Sequence, residues 1–472
     1  MSKKNKSYYH AIGNSTNGVT GSCHLIKHLD YSILLEYGSV QTNSPIIDYS
    51  KNKTKSKFLK PKQLDAIIIG HVHQDHIGMI PSLYKSGATC PLYIPKNSKK
   101  LLEIMFLDSV KIMNKEYELY KRTEKISMPP LYDEDDVYTA LDHVVECDSN
   151  IDIFINDSIY FKFLPAKHIV NANQVLLYLK SDNNIKKVGY TSDIGSKKID
   201  KRFIVPFEPI RQVDLLIGEC TYSDKKRIHR IEDREVDIGK LKTIIEQTIE
   251  NQSKLLIPVF SLNRLEDIVS TLYDIYDSKW DIDIIIDTPL GIRIANEWEN
   301  IILNKDKEYW HEVWEWNKLK KLNSHEESIV CQESPNPMII LASSGMMQSG
   351  RSIMWAKKLL PDARNHICFC GFTGENSLAW KIKNKTQNPV INIEGKRVSN
   401  NIQITVLNSF SSHADYEDLI DYYTTVKYNK IVLLHSEEKS KLKFAEDLKK
   451  KLSKVNRSDK VISAVKDMKI EI

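Results

Sequence analysis

Apolar positions along the chain fall into two rhythms, and their order predicts the architecture. Residues 66–69, Ala-Ile-Ile-Ile, are an unbroken β-branched run of strand length, which predicts a strand buried on both faces. Upstream, a glycine turn at Gly21 leads to apolar runs at 24–26 and 33–37, predicting two strands of a hairpin. Downstream, 77–83 has helical spacing. Residues 99–115 predict an amphipathic helix with Leu101, Leu102, Met105, Phe106 and Ile112 inward. After a break at 128–130, a short acidic helix is expected over 133–145. Strand-like runs follow at 151–155, 159–164, 174–179, 187–190 and 213–218.

From about residue 223 the pattern changes. A charged stretch (Lys225, Lys226, Arg227, Arg230, Arg234) precedes an alternation of helix 239–251, strand 254–260, helix 263–276 and strand 282–287. This alternation predicts a doubly wound parallel sheet. Trp310 and Trp314 stand one helical turn apart, so packing is their expected role. Strands at 337–341 and 366–370 each end in a glycine loop, Ala342-Ser343-Ser344-Gly345-Met346-Met347 and Gly371-Phe372-Thr373-Gly374-Glu375. Such junctions can turn backbone N–H groups toward a phosphate. A strand at 402–407 then runs into Ser409-Phe410-Ser411-Ser412-His413-Ala414-Asp415. A strand at 430–434 ends in His435, and an amphipathic helix is expected over 441–452.

The strand at 66–69 ends at Gly70, and three of the chain's 14 histidines follow within 71–76. His71, His73 and Asp75 alternate with Val72 and Gln74, so an extended backbone aims all three to one side, and His76 turns the corner. Neutral imidazoles and carboxylates are ligands for zinc and similar divalent ions, and two ligand sets this close suggest a pair of metals. Other strands end in one ionisable residue each: His168, Asp193 and Glu219. They supply what such a site still needs. His24 is expected to pack locally instead.

Composition narrows the setting. The chain has 472 residues, 41% hydrophobic and 27% charged, as in soluble globular proteins of two or three domains. A net charge of +5 permits an acidic partner without arguing for one. The seven cysteines are scattered with no Cys-x-x-Cys pair, which favours reduced thiols, and Cys368 and Cys370 are expected to pack in a strand. Met1 to Lys6 is basic without an apolar run behind it, unlike a signal peptide, and no run reaches membrane-span length. A cytoplasmic location is expected.

The ordered set resembles the β-CASP branch of the metallo-β-lactamase superfamily, RNA-processing nucleases such as the messenger-RNA 3′-end cleavage endonuclease and ribonuclease J. The resemblance runs through Val19-Thr20-Gly21-Ser22-Cys23, His71 to His76, His168, Asp193, Glu219, Ile257-Pro258-Val259-Phe260, Ala342 to Met347, Phe410 to Asp415 and His435. It implies an α/β chain: a four-layer αββα metallo-β-lactamase domain (1–222 and 400–472) interrupted by an α/β β-CASP cap (223–399). It implies two Zn²⁺, with Mn²⁺ as a substitute. His71, His73 and His168 would hold one ion, Asp75, His76 and His435 the other, and Asp193 would bridge them. The implied activity is hydrolysis of RNA phosphodiester bonds by a metal-activated hydroxide, leaving a 5′-phosphate and a 3′-hydroxyl. Asp75 is counted with the catalytic residues, His413 would be the general acid, and Glu219 would orient it.

A histidine at 435 resembles RNA-directed members, whereas DNA-repair relatives usually have valine. The sequence as given is expected to be of the compact kind, without the C-terminal extension of ribonuclease J. Single-stranded RNA is the expected partner, with Ser343, Ser344, Gly345, Arg264, Arg351 and Ser412 as candidate contacts. No membrane partner is expected, and a homodimer is compatible. A DNA nuclease or small-molecule hydrolase on the same centre, or an RNA-binding scaffold, are the alternatives. Four positions depart from the family pattern: Glu36 replaces Asp, Asn171 replaces Gly, and Ser377 and Ala379 replace Thr and Gly.

Overall fold

The computed structural model describes residues 6–42, 44–182, 184–224, 230–371, 373–374 and 377–472. It divides into two units: 1–200 with 204–228 and 412–472, and 201–203 with 229–411.

The first unit is built on two seven-stranded sheets. One runs Met468–Glu471, Tyr8–Ala11, His24–His28, Tyr31–Leu35, Ala66–Ile68, Leu92–Pro95, Val144–Cys147. The other runs Lys460–Ser463, Lys430–Leu434, Leu215–Glu219, Asn184–Tyr190, Asn173–Ser181, Ile159–Pro165, Ile153–Asn156. Inward side chains of both sheets, including Ile26, Ile33, Leu35, Ile68, Phe161, Phe163, Leu177, Tyr190, Ile217 and Val432, form a single core. Leu34, Ile67 and Leu216, of opposite parity, are also buried. Both faces of these strands are therefore covered, which is why the runs read as uninterrupted hydrophobics. The helices Lys99–Thr123, Glu134–Asp142, Tyr416–Thr425 and Glu438–Lys454 supply the outer layers. The expected hairpin is present, with His24 opposite Leu35. His24 is buried, with Nδ1 3.0 Å from the Tyr9 hydroxyl, a packing role as expected.

Two details differ from expectation. The helix predicted over 99–115 continues to Thr123, and Ile112 stands 51% exposed rather than inward. The acidic helix ends at Asp142, because its continuation pairs as the strand Val144–Cys147 beside Leu92–Pro95. Asp133 caps this helix through a reciprocal capping box with Asp136.

The second unit contains a six-stranded sheet ordered Leu319–Lys321, Asp283–Asp287, Met338–Ala342, Lys254–Pro258, His366–Phe369, Gln403–Val406. Every pairing is parallel, as the βα alternation predicts. The strand Gln403–Val406 pairs with His366–Phe369, so the backbone ladder keeps this segment in the second unit, which continues to Ser411 and past residue 399. The tryptophan-rich region forms the helices Pro289–Asn296, Trp298–Ile301 and Lys307–Trp314. Trp310 and Trp314 stack on each other at 5.5 Å and are buried. Cys368 and Cys370 are buried free thiols. No helix among the described residues is long and apolar enough to cross a membrane.

Candidate metal centre

The loop that follows Ala66–Ile68 is clamped by backbone before any side chain acts. Ser22 N–H donates to Asp75 O (2.8 Å), Tyr37 N–H to His76 O (2.9 Å) and Ser39 N–H to Gln74 O (3.0 Å). Between these bonds the chain lies so close that a Cβ on Gly38 would sit 1.6 Å from Asp75 O, so only glycine fits. His73 closes the extended stretch and Gln74–Ile77 turns as a short helix, which aims Asp75 and His76 back toward His71.

Four ligand atoms, from His71, His73, His168 and Asp193, lie within 4.8 Å of one another; so do those of Asp75, His76 and His435. The His73 Nδ1 atom is 3.1 Å from His71 Nε2 and 3.2 Å from His168 Nε2. Tetrahedral ligands at about 2.0–2.1 Å from a zinc stand about 3.3 Å apart, close to this spacing. Asp193 Oδ2 is 3.4 Å from His76 Nε2, 3.7 Å from His168 Nε2 and 3.9 Å from His71 Nε2, and Asp193 Oδ1 is 3.6 Å from His435 Nδ1. Asp75 Oδ2 reaches His435 Nε2 at 3.3 Å and His76 Nε2 at 3.5 Å. One carboxylate thus touches both groups.

The donor set fits divalent metal. Burial holds His71, His73 and His168 below the ordinary histidine range, His73 to about 4, so their rings are neutral and offer lone pairs. Burial alone would raise Asp75 and Asp193, yet the surrounding imidazoles hold both well below the usual carboxylate range. His76 Nε2 and Asp193 Oδ1 are buried with no hydrogen-bond partner, which is costly for a polar atom unless something else binds it.

Other side chains orient these ligands. Glu36 accepts from the Tyr190 hydroxyl, from Ser192 Oγ (2.8 Å) and from the Gly70 amide (3.3 Å), and it bonds His76 Nδ1 directly. Ser192 Oγ is also 3.0 Å from His71 Nδ1. One carboxylate thereby fixes a ring in each group. The extra methylene of Glu36, relative to the family's Asp, is accommodated in this buried network. Thr221 Oγ1 lies 2.8 Å from His435 Nδ1, and the Ser412 carbonyl lies 3.1 Å from His168 Nδ1. Tyr190, Ser192 and Thr221 escaped the sequence reading because each is an ordinary strand-end residue until the sheets bring it over a histidine. Glu36, Lys167, Ser192 and His435 all adopt left-handed φ near 50–60° (59°, 59°, 49° and 59°), a backbone cost concentrated around one site.

His413 stands at the rim, its ring 4.5 Å from that of His168 and 5.4 Å from that of Tyr222. Its Nδ1 is 3.6 Å from Glu219 Oε1, an ion-pair distance rather than a direct hydrogen bond. The shorter bonds of Glu219 are accepted from the amides of Ile194 (3.2 Å) and Thr221 (2.7 Å). Asn171 keeps the turn that glycine usually makes, at φ 56°.

The candidate RNA contacts in the second unit fare differently. Arg264 is buried beside Asp267 (3.6 Å), not on an open surface. Arg351 is partly buried between Asp287 (3.6 Å) and His325 (2.8 Å). Ser344 Oγ accepts from the Gln348 amide (3.2 Å), and a Cβ on Gly345 would meet the Phe260 ring at 2.8 Å. Ser352 N–H donates to the Ser343 carbonyl at 2.8 Å. Ser377 caps the helix Leu378–Lys383, and Ala379 is buried in place of glycine. Lys225, Lys226, Arg227, Phe372, Glu375 and Asn376 lie outside the described residues.

Residues 241–382 match the Beta-Casp domain, and residues 397–458 match the Zn-dependent metallo-hydrolase RNA specificity domain. The chain is 26% identical over 430 residues to a ribonuclease of Thermus thermophilus, covering 90% of this chain and 92% of that protein. It is 27% identical over 412 residues to a transcription termination factor of Methanocaldococcus jannaschii, covering 83% of this chain but 62% of that longer protein. A solved protein of unknown function from Enterococcus faecalis shares the fold, with a TM-score of 0.56 at 12% identity over 99% of this chain and 100% of that one. The chain thus carries a Beta-Casp domain and a Zn-dependent metallo-hydrolase RNA specificity domain, and it is similar to a ribonuclease over most of its length.

Proposed function

We propose that this chain is a zinc-dependent ribonuclease that hydrolyses phosphodiester bonds of single-stranded RNA, leaving a 5′-phosphate and a 3′-hydroxyl. The observation that carries this reading is the pair of ligand groups touching one carboxylate, Asp193, with His413 beside them. The match to an RNA specificity domain and the likeness to a ribonuclease favour RNA as substrate.

His71, His73, His168 and Asp193 would hold one ion, and Asp75, His76 and His435 the other, with Asp193 shared. Bound there, the ions would supply Lewis acidity that neutralises phosphate charge and makes water nucleophilic near neutral pH. The residues supply the rest. Glu36, with Tyr190 and Ser192, fixes ring orientation and keeps the coordinating nitrogens free. His413 donates a proton to the departing O3′ atom, and the Glu219 carboxylate, 3.6 Å from its Nδ1, orients the ring.

The test uses one short RNA labelled at its 5′ end in one sample and its 3′ end in another. Wild-type protein should cut it, the cut should stop with chelator, and the double variant Asp75→Ala/His76→Ala should leave it whole. Products should carry 5′-phosphates. Internal fragments would mark an endonuclease and immediate release of a labelled 5′ mononucleotide a 5′-exonuclease. No cleavage by fully metal-loaded protein, or cleavage of DNA alone, would refute the proposal.

A further inference from the structure

The segment Ile194-Gly195-Ser196-Lys197-Lys198-Ile199-Asp200 belongs to no helix or strand, yet it is bonded on every side. It begins at the residue after Asp193. The Ile194 amide donates to Glu219 Oε1 (3.2 Å), while the Ile194 carbonyl accepts from the Ala414 amide (2.7 Å), one residue past His413. The Gly195 amide donates to the Ala166 carbonyl (2.9 Å), and a Cβ at Gly195 would sit 1.8 Å from Lys167 O, next to His168. Lys167 returns the contact, donating from Nζ to the Lys197 carbonyl (3.3 Å) and to Asp200 (2.7 Å). The far end reaches the helix after His413: Lys198 Nζ bonds Asp415 and Glu417 at 3.2 Å each, and Lys197 Nζ bonds Asp421 at 3.0 Å.

Seven residues thus touch the loops of His168, Glu219 and His413 at once. Asp415 is fully buried and is the N-cap of the helix Tyr416–Thr425, in a reciprocal capping box with Asp418. Two carboxylates, with Glu417 a residue away, crowd this helix start, and like charges there repel. The Lys198 ammonium offsets that repulsion where the cap must hold. His413 stands two residues before the cap, so a loosened cap moves its ring.

We infer that residues 194–200 are a splint that sets the position of His413, and that Lys198 is a positioning residue for it. The inference rests on the reading of His413 as proton donor. It gives Lys198, a partly exposed lysine touching neither ligand group, a share in turnover rather than in metal retention.

The experiment is a double-variant cycle on zinc-loaded protein with the same short single-stranded RNA. Lys198→Met should lower kcat by about 10- to 100-fold, the cost of misplacing a reacting group by about an ångström, with KM within about twofold. Zinc per chain, read by elemental analysis, should stay at the wild-type value. Lys198→Arg, which keeps the cation, should restore most of the rate. In a His413→Ala background, Lys198→Met should cost nothing more, because the residue it positions is gone. Wild-type kcat in Lys198→Met, no rescue by arginine, or an undiminished loss in the His413→Ala background would each overturn the inference while leaving the proposed activity standing. A fully active His413→Ala protein would instead remove the reading beneath it, and the inference with it.

Discussion

At the scale of single residues, Glu36 shows how much of this centre depends on groups that touch no substrate. Its carboxylate bonds His76 and, through Ser192, holds His71. Removing such a partner typically costs 10- to 100-fold in metal affinity. Glu36→Gln should therefore weaken zinc binding by about that factor, read by competition with a chromogenic chelator; unchanged affinity would assign Glu36 to packing alone. Asn171 makes the opposite case. At φ 56° an asparagine is tolerated and a β-branched residue is not. Asn171→Gly should leave denaturation midpoints nearly unchanged, whereas Asn171→Val should lose about 1–3 kcal/mol.

Glu266 offers a residue-scale test through pH. It is fully buried in the second unit, and burial pushes its carboxyl up to about 8, against the weaker opposing pull of the backbone amides of Glu266 and Asn263. Unfolded, it titrates near 4.5. Between those values the native protein holds a proton that the unfolded chain has released, so rising pH favours unfolding. The stabilising share is complete below 4.5 and lost as pH rises through about 8, with a slope of up to about 1.4 kcal/mol per pH unit. Glu266→Gln should remove this component, so the variant gains stability over wild type as pH rises from 5 to 8. Parallel curves in urea titrations across that range would contradict it.

At the scale of elements, sequence legibility followed local periodicity. The strand Ala66–Ile68 and the candidate ligands after it are readable because a buried parallel strand has an uninterrupted apolar run and the candidate ligands follow at fixed parity. The parallel sheet of the second unit was readable from its alternation. What stayed hidden was set by long-range contact. Gln403–Val406 reads as a strand but nothing local says which sheet takes it. Ile112 keeps helical parity on a stretch of helix that stands exposed. The supports Tyr190 and Ser192 meet Glu36 only across more than 150 residues of chain. Gly38 lies between these cases: its glycine is visible, but its reason, the Asp75 carbonyl against it, is not. Gly38→Ala should fold with the metal loop displaced, lose bound zinc and cut no RNA. Wild-type zinc content in that variant would show that the loop can yield.

For the molecule as a whole, the candidate ligand set is assembled from segments far apart in the chain, from His71 to His435. Metal that binds only this folded arrangement stabilises it by mass action, about 4 kcal/mol when free metal is a thousand times its dissociation constant. Stripping the ions should lower the unfolding midpoint, and restoring zinc should return it. Whether the proposed ribonuclease needs two metals is read by titrating zinc into metal-free protein while recording bound zinc per chain and RNA cleavage in the same samples. Binding should saturate at two ions, and cleavage should rise as the second is taken up. RNA cleavage at full rate without metal, or none with both ions bound, would contradict the proposed function.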